Sequence, residues 1–187
     1  MSVGTYSKDC ELVIGIVAPV GVNLDDVQNR LQSLLQQFNY QLNWIHVSQL
    51  CRDYLDGPSE APTELERLDS GMNNGKLCRD KFKRGDFFAL LAINAINSRR
   101  NVVADKPEPL KRNVHVIRSL KHPDEAETLR RVYGDGFFLL GVSASIESRK
   151  HYLHEVKGIP KEQLERLITR DDKEAGDYGQ RTRDVFQ

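Results

Sequence analysis

Hydrophobic positions alternate along this chain between short continuous runs and helical stripes. Glu11-Leu12-Val13-Ile14-Gly15-Ile16-Val17-Ala18-Pro19 is an apolar run suited to a strand buried on both faces. A turn, Val20-Gly21-Val22-Asn23, follows it. Leu24, Val27, Leu31, Leu34, Leu35 and Phe38 then trace one stripe of a helix. Asn23 is placed to cap that helix, and Asp25 and Asp26 suit the positive end of its dipole. Leu42 to Val47 read as a second strand. Ser48 to Pro62, containing Asp56-Gly57-Pro58, read as a connecting loop. Thr63 and Glu66 have capping-box spacing and open a long helical region. Gly71, Asn73, Asn74 and Gly75 should interrupt it, and Gly85-Asp86 should break it again. The segment from Phe87 to Ile96 is apolar on most sides and predicts a buried helix.

Arg99 to Arg112, carrying Pro107 and Pro109, read as a polar surface loop. Val114-His115-Val116-Ile117 is the third predicted strand. Pro123, Asp124, Glu125 and Glu127 begin a helix with Ala126, Leu129 and Val132 on its apolar face, and Gly134 ends it. Phe137 to Val142 is the fourth strand. Ile146 to Val156 and Pro160 to Ile168 are short helices parted by Gly158-Ile159-Pro160. Residues 1–10 read as a loose arm and 11–187 as one domain. Strands alternating with helices predict a doubly wound α/β domain, its mainly parallel sheet of four to five strands covered by helices on both faces. Val185-Phe186 reads as the approach to a fifth strand, so the chain is expected to be part of a longer protein.

Composition narrows the class. With 187 residues, 39% hydrophobic and 29% charged, the chain suits one soluble domain with a sizeable core. Its formal net charge of zero excludes a bulk basic field for nucleic acid. No apolar run approaches the roughly 20 residues that span a bilayer, and the opening residues do not show a signal-peptide pattern. Cys10, Cys51 and Cys78 are odd in number and far apart, which suits a reducing cytoplasm better than a disulfide or zinc framework.

The strand-turn-helix at residues 11–38 is the opening unit of a phosphate-binding α/β domain. Such a loop needs backbone amides, a Lys on the phosphates and a hydroxyl on magnesium. Aligned on the Pro and the helix, Ala18 takes the first Gly position, Pro19 and Val20 follow, and Gly21 is retained. Val22 and Asn23 come next, Leu24 takes the Lys position and Asp25 the hydroxyl position. The shape is kept and the charge is inverted. Two readings stay open: a degenerate nucleotide pocket, in which Asp25 and Asp26 would hold Mg²⁺ on a phosphate, and a unit that only packs. Candidate replacement cations are Lys121, beside Arg118 at the carboxyl end of the third strand, and Arg149, Arg166 and Arg170 in the late helices. Either Arg118 or Lys121 could instead pair with Asp124 and Glu125. Lys76, Arg79, Lys81, Lys83 and Arg84, with Phe82 among them, form either a small RNA or nucleotide patch or a solvated helix end. His151, His154 and Glu155 lack a further ligand cluster, so no metal is expected there.

Three segments stand together: Val116-Ile117-Arg118-Ser119-Leu120-Lys121-His122-Pro123-Asp124-Glu125, Leu129-Arg130-Arg131-Val132-Tyr133-Gly134 and Phe137-Phe138-Leu139-Leu140-Gly141-Val142. With the Ala18-Pro19-Val20-Gly21 turn, the Gly71 to Arg79 segment, Arg170-Asp171-Asp172-Lys173-Glu174 and Gly179-Gln180, they resemble the P-loop-kinase-like N-terminal half of bacterial deoxycytidylate deaminase-related proteins of phage defence. The resemblance implies a half similar to deoxynucleoside monophosphate kinases, followed by a zinc deaminase that converts deoxycytidine nucleotides to deoxyuridine nucleotides. Zn²⁺ would belong to that second half, which this chain lacks. It also implies oligomers, regulation by nucleotides and, in some members, restraint by a small RNA. Leu24 and Asp25 depart from the kinase pattern, and Arg118 stands where related kinases often carry an acid. The expected role is a nucleotide-binding or assembly domain with little or no kinase activity. An active kinase with an unusual loop and a purely structural oligomerisation module are the alternatives.

Overall fold

The computed structural model describes residues 9–55, 61–103, 106–172 and 182–185. Most of the expected arm, the Asp56-Gly57-Pro58 turn, the stretch 173–181 and Phe186 lie outside the described residues. The chain runs β1 (Leu12–Val17), α1 (Asp25–Gln37), β2 (Gln41–His46), α2 (Val47–Tyr54), α3 (Glu64–Phe82) and α4 (Phe87–Asn97). A short pair, β3 (Asn101–Val103) and β4 (Lys106–Glu108), precedes β5 (Asn113–Leu120), α5 (Pro123–Tyr133) and β6 (Phe137–Gly141). Last come α6 (Ile146–His151), a π-helical turn (Tyr152–Val156), α7 (Lys161–Asp172) and α8 (Thr182–Val185).

Four strands form one parallel sheet in the order β2-β5-β1-β6. Helices flank it, giving a doubly wound α/β domain consistent with a P-loop-like fold. The two central strands are the most buried because both their faces are covered. Val13, Val17, Ile117 and Leu120 pack with α4 and α5 residues in the main core. Ile16, Val114 and Val116 point the other way, into a cluster with Val27, Leu31 and Leu35 of α1. Gly15 is held small by its neighbours. A Cβ there would lie 2.6 Å from Leu120 Cδ1 and 3.1 Å from the Phe137 ring.

Several sequence expectations need correction. The supposed loop after β2 begins with α2, because Val47, Leu50 and Cys51 bury one side of it in the main core. Helix α3 runs unbroken through Gly71-Met72-Asn73-Asn74-Gly75, since Met72, Gly75, Cys78 and Arg79 are buried against neighbouring elements. Tertiary packing outweighs the roughly 1 kcal/mol that each helical Gly costs. Its start follows expectation: Glu66 N–H donates to Thr63 Oγ1 at 3.2 Å, and Thr63 N–H donates to Glu66 Oε2 at 3.1 Å. The predicted loop at residues 99–112 contains the antiparallel β3–β4 pair. Helix α7 extends past Ile168 to Asp172, and Val185 is the last residue of the short helix α8. Asn23 does serve α1, accepting the Asp25 N–H at 3.0 Å. Two members of the α1 stripe, Leu34 and Phe38, are 54% and 64% exposed.

The amino ends of the central strands are tied by a charged group rather than by apolar packing alone. Glu11 accepts hydrogen bonds from Arg100, from the Leu110 N–H at 3.2 Å and from the His115 ring at 2.9 Å. Burial pushes its carboxyl up, but those donors outweigh it and hold the group below its ordinary range.

Candidate functional site

The carboxyl ends of β1, β2 and β5 open into a cleft of about 390 Å³ walled by α2 and α3. Ligands of open α/β sheets bind at this edge. Ala18, Pro19, Val20, Gly21, Val22 and Asp25 all line it, as does Lys121. Asn23 is turned instead to the start of α1.

The loop is closed on itself. Val22 N–H donates to Pro19 O at 3.2 Å, and Gly21 sits at φ 88°. That left-handed conformation suits only glycine at low cost. Space demands glycine too, because a Cβ would lie 2.9 Å from the Arg149 carbonyl oxygen. The Val20 N–H, the amide at the head of the turn, donates to Asp171 Oδ2 at 2.7 Å. Asp171 is fully buried, and its Oδ1 accepts from Lys121 Nζ at 2.7 Å. Lys121 Nζ also donates to Ala18 O at 2.8 Å. A carboxylate supplied by α7 therefore holds one amide and the cation that a phosphate would otherwise use.

The cations expected from the sequence separate into three places. Lys121 reaches the cleft but is bound to Asp171. Arg149 is buried behind the loop, where Nε donates to Val20 O at 2.8 Å and Nη2 to Asp172 at 3.3 Å. Arg166 and Arg170 project from α7 onto α3, with Arg166 forked on Asp69 at 2.7 and 2.9 Å. Arg170 donates to Asn73 Oδ1 at 2.7 Å. These two join helices outside the cleft. Arg118 pairs with Asp25 at 3.3 Å, so neither it nor the Lys121 ammonium takes Asp124 or Glu125 as partner.

Beside Lys121 and Arg118, the cleft draws cations from elements read as a loop or as an interrupted helix. Arg52 of α2 and Arg67 and Arg79 of α3 line it, with Lys157 at its rim. Arg67 is held by two hydrogen bonds to Glu64, at 2.6 and 2.7 Å. Arg52 has no carboxylate partner among the described residues. Beside it His46 ends β2, in register with Arg118. Burial, then Arg118, then Arg52 hold the His46 imidazole below its ordinary value. A ring discouraged from charging by two guanidinium groups marks a corner of positive potential.

The floor is different in kind. Arg79 is 2% exposed and donates from Nη2 to Glu125 Oε1 at 2.6 Å. Its guanidinium lies 4.9 Å from the Phe88 ring centroid. Arg79 Nη1 and Ser119 Oγ are buried without hydrogen-bond partners among the described residues, and both residues line the cleft. Unpaired buried donors of this kind cost free energy until an acceptor arrives. The basic run Lys76 to Arg84 is consequently no single patch. Arg79 turns inward, Arg84 forks onto Asp86 and Phe82 stacks on Phe87 at 4.7 Å. His154 is engaged with Ile159 O at 2.8 Å.

Among the described residues, no group of three or more His, Cys, Asp and Glu side chains is placed to hold a metal ion. Leu24, at the Lys position of the loop, is 6% exposed and packs with Ile16, Ala18 and Val116. No family model matches the chain, and no curated protein sequence matches it. No described helix is long and apolar enough to cross a membrane.

Proposed function

We propose that this domain binds a deoxynucleotide in the cleft without transferring its phosphoryl groups, and that in a longer protein it governs an attached deoxycytidine nucleotide deaminase. The observation that carries the binding part is the pairing of two features. The cleft is lined by Arg52, Arg67, Arg79 and Arg118, while the loop that would hold the reacting phosphates is latched by Asp171. The pocket's size suits a nucleotide-sized ligand, with charge at the mouth and unpaired donors at the floor. Loss of the loop Lys to the core residue Leu24 supports binding over catalysis. The deaminase link rests on the sequence resemblance around residues 116–142. Asp25, which lines the cleft, and Asp26 beside it support Mg²⁺ only as a companion of the nucleotide. Three free cysteines support a reducing, cytoplasmic setting.

Calorimetric titration with deoxynucleoside mono- and triphosphates, run beside a phosphoryl-transfer assay, tests this reading. Saturable heat without turnover is the expected result. Measurable turnover of a deoxynucleoside monophosphate sinks the non-catalytic reading. Absence of both heat and thermal shift sinks the binding one and favours a structural module.

Binding should also depend on pH through His46. A phosphate beside the ring raises a proton affinity that burial, Arg118 and Arg52 now depress. A group whose affinity for protons rises on binding contributes fully below its free-state pKa and loses that contribution as pH rises through the bound-state pKa. The His46 share of the affinity for a deoxynucleoside monophosphate is therefore expected to weaken as pH is raised from about 5 to 8, read as the difference from His46→Gln, in which the phosphate's own ionisation near pH 6 is unchanged. Identical pH profiles for the two proteins would remove His46 from the site.

A further inference from the structure

Burial grades the cations of the cleft. The Arg67 and Arg118 side chains are 48% and 28% exposed, whereas Arg79 is 2% exposed. The deep guanidinium is also fixed in place. Its Nε and Nη2 both donate to Glu125 Oε1, at 3.3 and 2.6 Å. Glu125 Oε2 is taken by the Lys121 and His122 N–H groups, at 2.7 and 3.1 Å. A carboxylate offers about four lone-pair sites, so this one has none left for the other terminal nitrogen. The Phe88 ring, its centroid 4.9 Å from the guanidinium carbon, holds the plane. Arg79 Nη1 therefore keeps two N–H donors that its own ion pair cannot satisfy, and it has no other partner among the described residues.

Ser119 adds a hydroxyl at the same level. It is the residue passed over where the β1–β5 register shifts, Ile16 pairing with Arg118 and Val17 with Leu120. An irregularity of this kind re-aims a side chain. Its Oγ is buried and lacks a partner among the described residues, and Arg79, Phe88 and Ser119 all line the cleft. Bulk water does not reach these two groups, so only a ligand end pressed into the floor can serve them.

The two levels of the cleft suit different chemistry. At the floor, Arg79 and Glu125 are neutral as a pair, so the donors come without net positive charge. A phosphate dianion there would lose its water and gain no counter-charge, which is costly. A neutral carbonyl oxygen meets no such penalty, and its two lone pairs can accept from both groups. Nearer solvent the preference reverses, because half-buried Arg52 has no carboxylate partner among the described residues. We infer that a bound nucleotide lies base-inward and phosphate-outward, and that Arg79 and Ser119 select a base with a ring carbonyl and refuse adenine. Adenine has no carbonyl, and its amine puts a donor beside its ring acceptors. This inference rests on the proposal that the cleft binds a deoxynucleotide; it adds which end enters and which base is turned away.

Calorimetric titration of the intact chain with dAMP, dGMP, dCMP and dTMP tests it. The dAMP is expected to bind at least about tenfold more weakly than the tightest of the other three. Arg79→Met paired with Glu125→Leu should narrow that gap to less than about threefold. Ser119→Ala, which deletes a single oxygen, should narrow it as well and covers the case in which the paired variant folds poorly. Arg52→Ala should weaken all four ligands by a similar factor and keep their order. Equal affinities for all four overturn the inference and leave nucleotide binding standing. So does a gap that survives the floor variants, or an order that only Arg52→Ala erases. No heat with any of the four removes the nucleotide reading itself, and this inference with it.

Discussion

Replacing Glu125 with alanine is expected to lower the unfolding free energy by about 3–5 kcal/mol. The side chain is fully buried and accepts from Arg79 at 2.6 Å, from the Lys121 N–H at 2.7 Å and from the His122 N–H at 3.1 Å. Its removal strands a buried guanidinium and frees the two amides that start α5. A buried ion pair is weak evidence of net stability, yet breaking one side of it is costly, because the surviving charge stays desolvated. Urea denaturation reads the loss directly as a shifted midpoint. Glu127→Ala, an exposed position on the same helix, should cost no more than about 0.5 kcal/mol. Replacing Arg79 by Met together with Glu125 by Leu should recover much of the loss, since apolar residues can fill a buried pair's space at little cost. A Glu125→Ala loss within about 1 kcal/mol of the Glu127 control would show that the pair is not held in a dry interior.

The second large effect belongs to Asp171. Alanine there is expected to cost about 3 kcal/mol, as it leaves Lys121 and the Val20 N–H without their partner. Asparagine is the more informative change. It keeps an oxygen for the Val20 N–H and removes the charge that holds Lys121. With the ammonium released toward the cleft, affinity for a deoxynucleoside triphosphate should rise about tenfold, equivalent to about 1.4 kcal/mol. Calorimetry on Asp171→Asn checks this. Unchanged or weaker binding would mean that the carboxylate only braces the loop and does not compete with phosphate.

How much of this could be read beforehand depended on whether the signal was local. β1 and the start of β5 were legible because strands covered on both faces carry apolar runs, and β6 was legible as an apolar run although Phe138 is exposed. The Thr63–Glu66 cap and the Gly134 stop were legible because capping uses side chains within a few residues. Helix α3 was misjudged at Gly71 and Gly75, where intrinsic preference points one way and packing of Met72 and Cys78 the other. Helix α2 carried a readable signal that turn residues nearby obscured. Val47, Leu50, Cys51 and Tyr54 have helical spacing, and Asp56-Gly57-Pro58 drew the whole segment into a loop.

Those two misreadings hid part of the site. Arg52 and Arg67 enter the cleft because α2 and α3 present them there, which a loop and a broken helix would not, whereas Lys121 and Arg118 at the end of β5 and Arg79 in the basic run were legible by position. Arg166 and Arg170 share a face as expected, but Asp69 and Asn73 hold it against α3. The Asp171 latch had no local signature, since its partner Val20 lies at the other end of the chain. What the loop sequence did disclose was the loss of Lys and hydroxyl, because those positions are defined by spacing alone.

Strand β5 lies between β1 and β2, so the first two strands never touch each other. Leu12 pairs with Val114, and Gln41 with Asn113. On a ribosome, β1 and β2 must therefore wait for the middle of the chain to emerge before either gains a neighbour. Domains generally fold as units during synthesis, and distant pairings form slowly. Until residues 113–120 have been made, the apolar strand from Leu12 to Val17 has no sheet to join, and its protection falls to local helices or to chaperones.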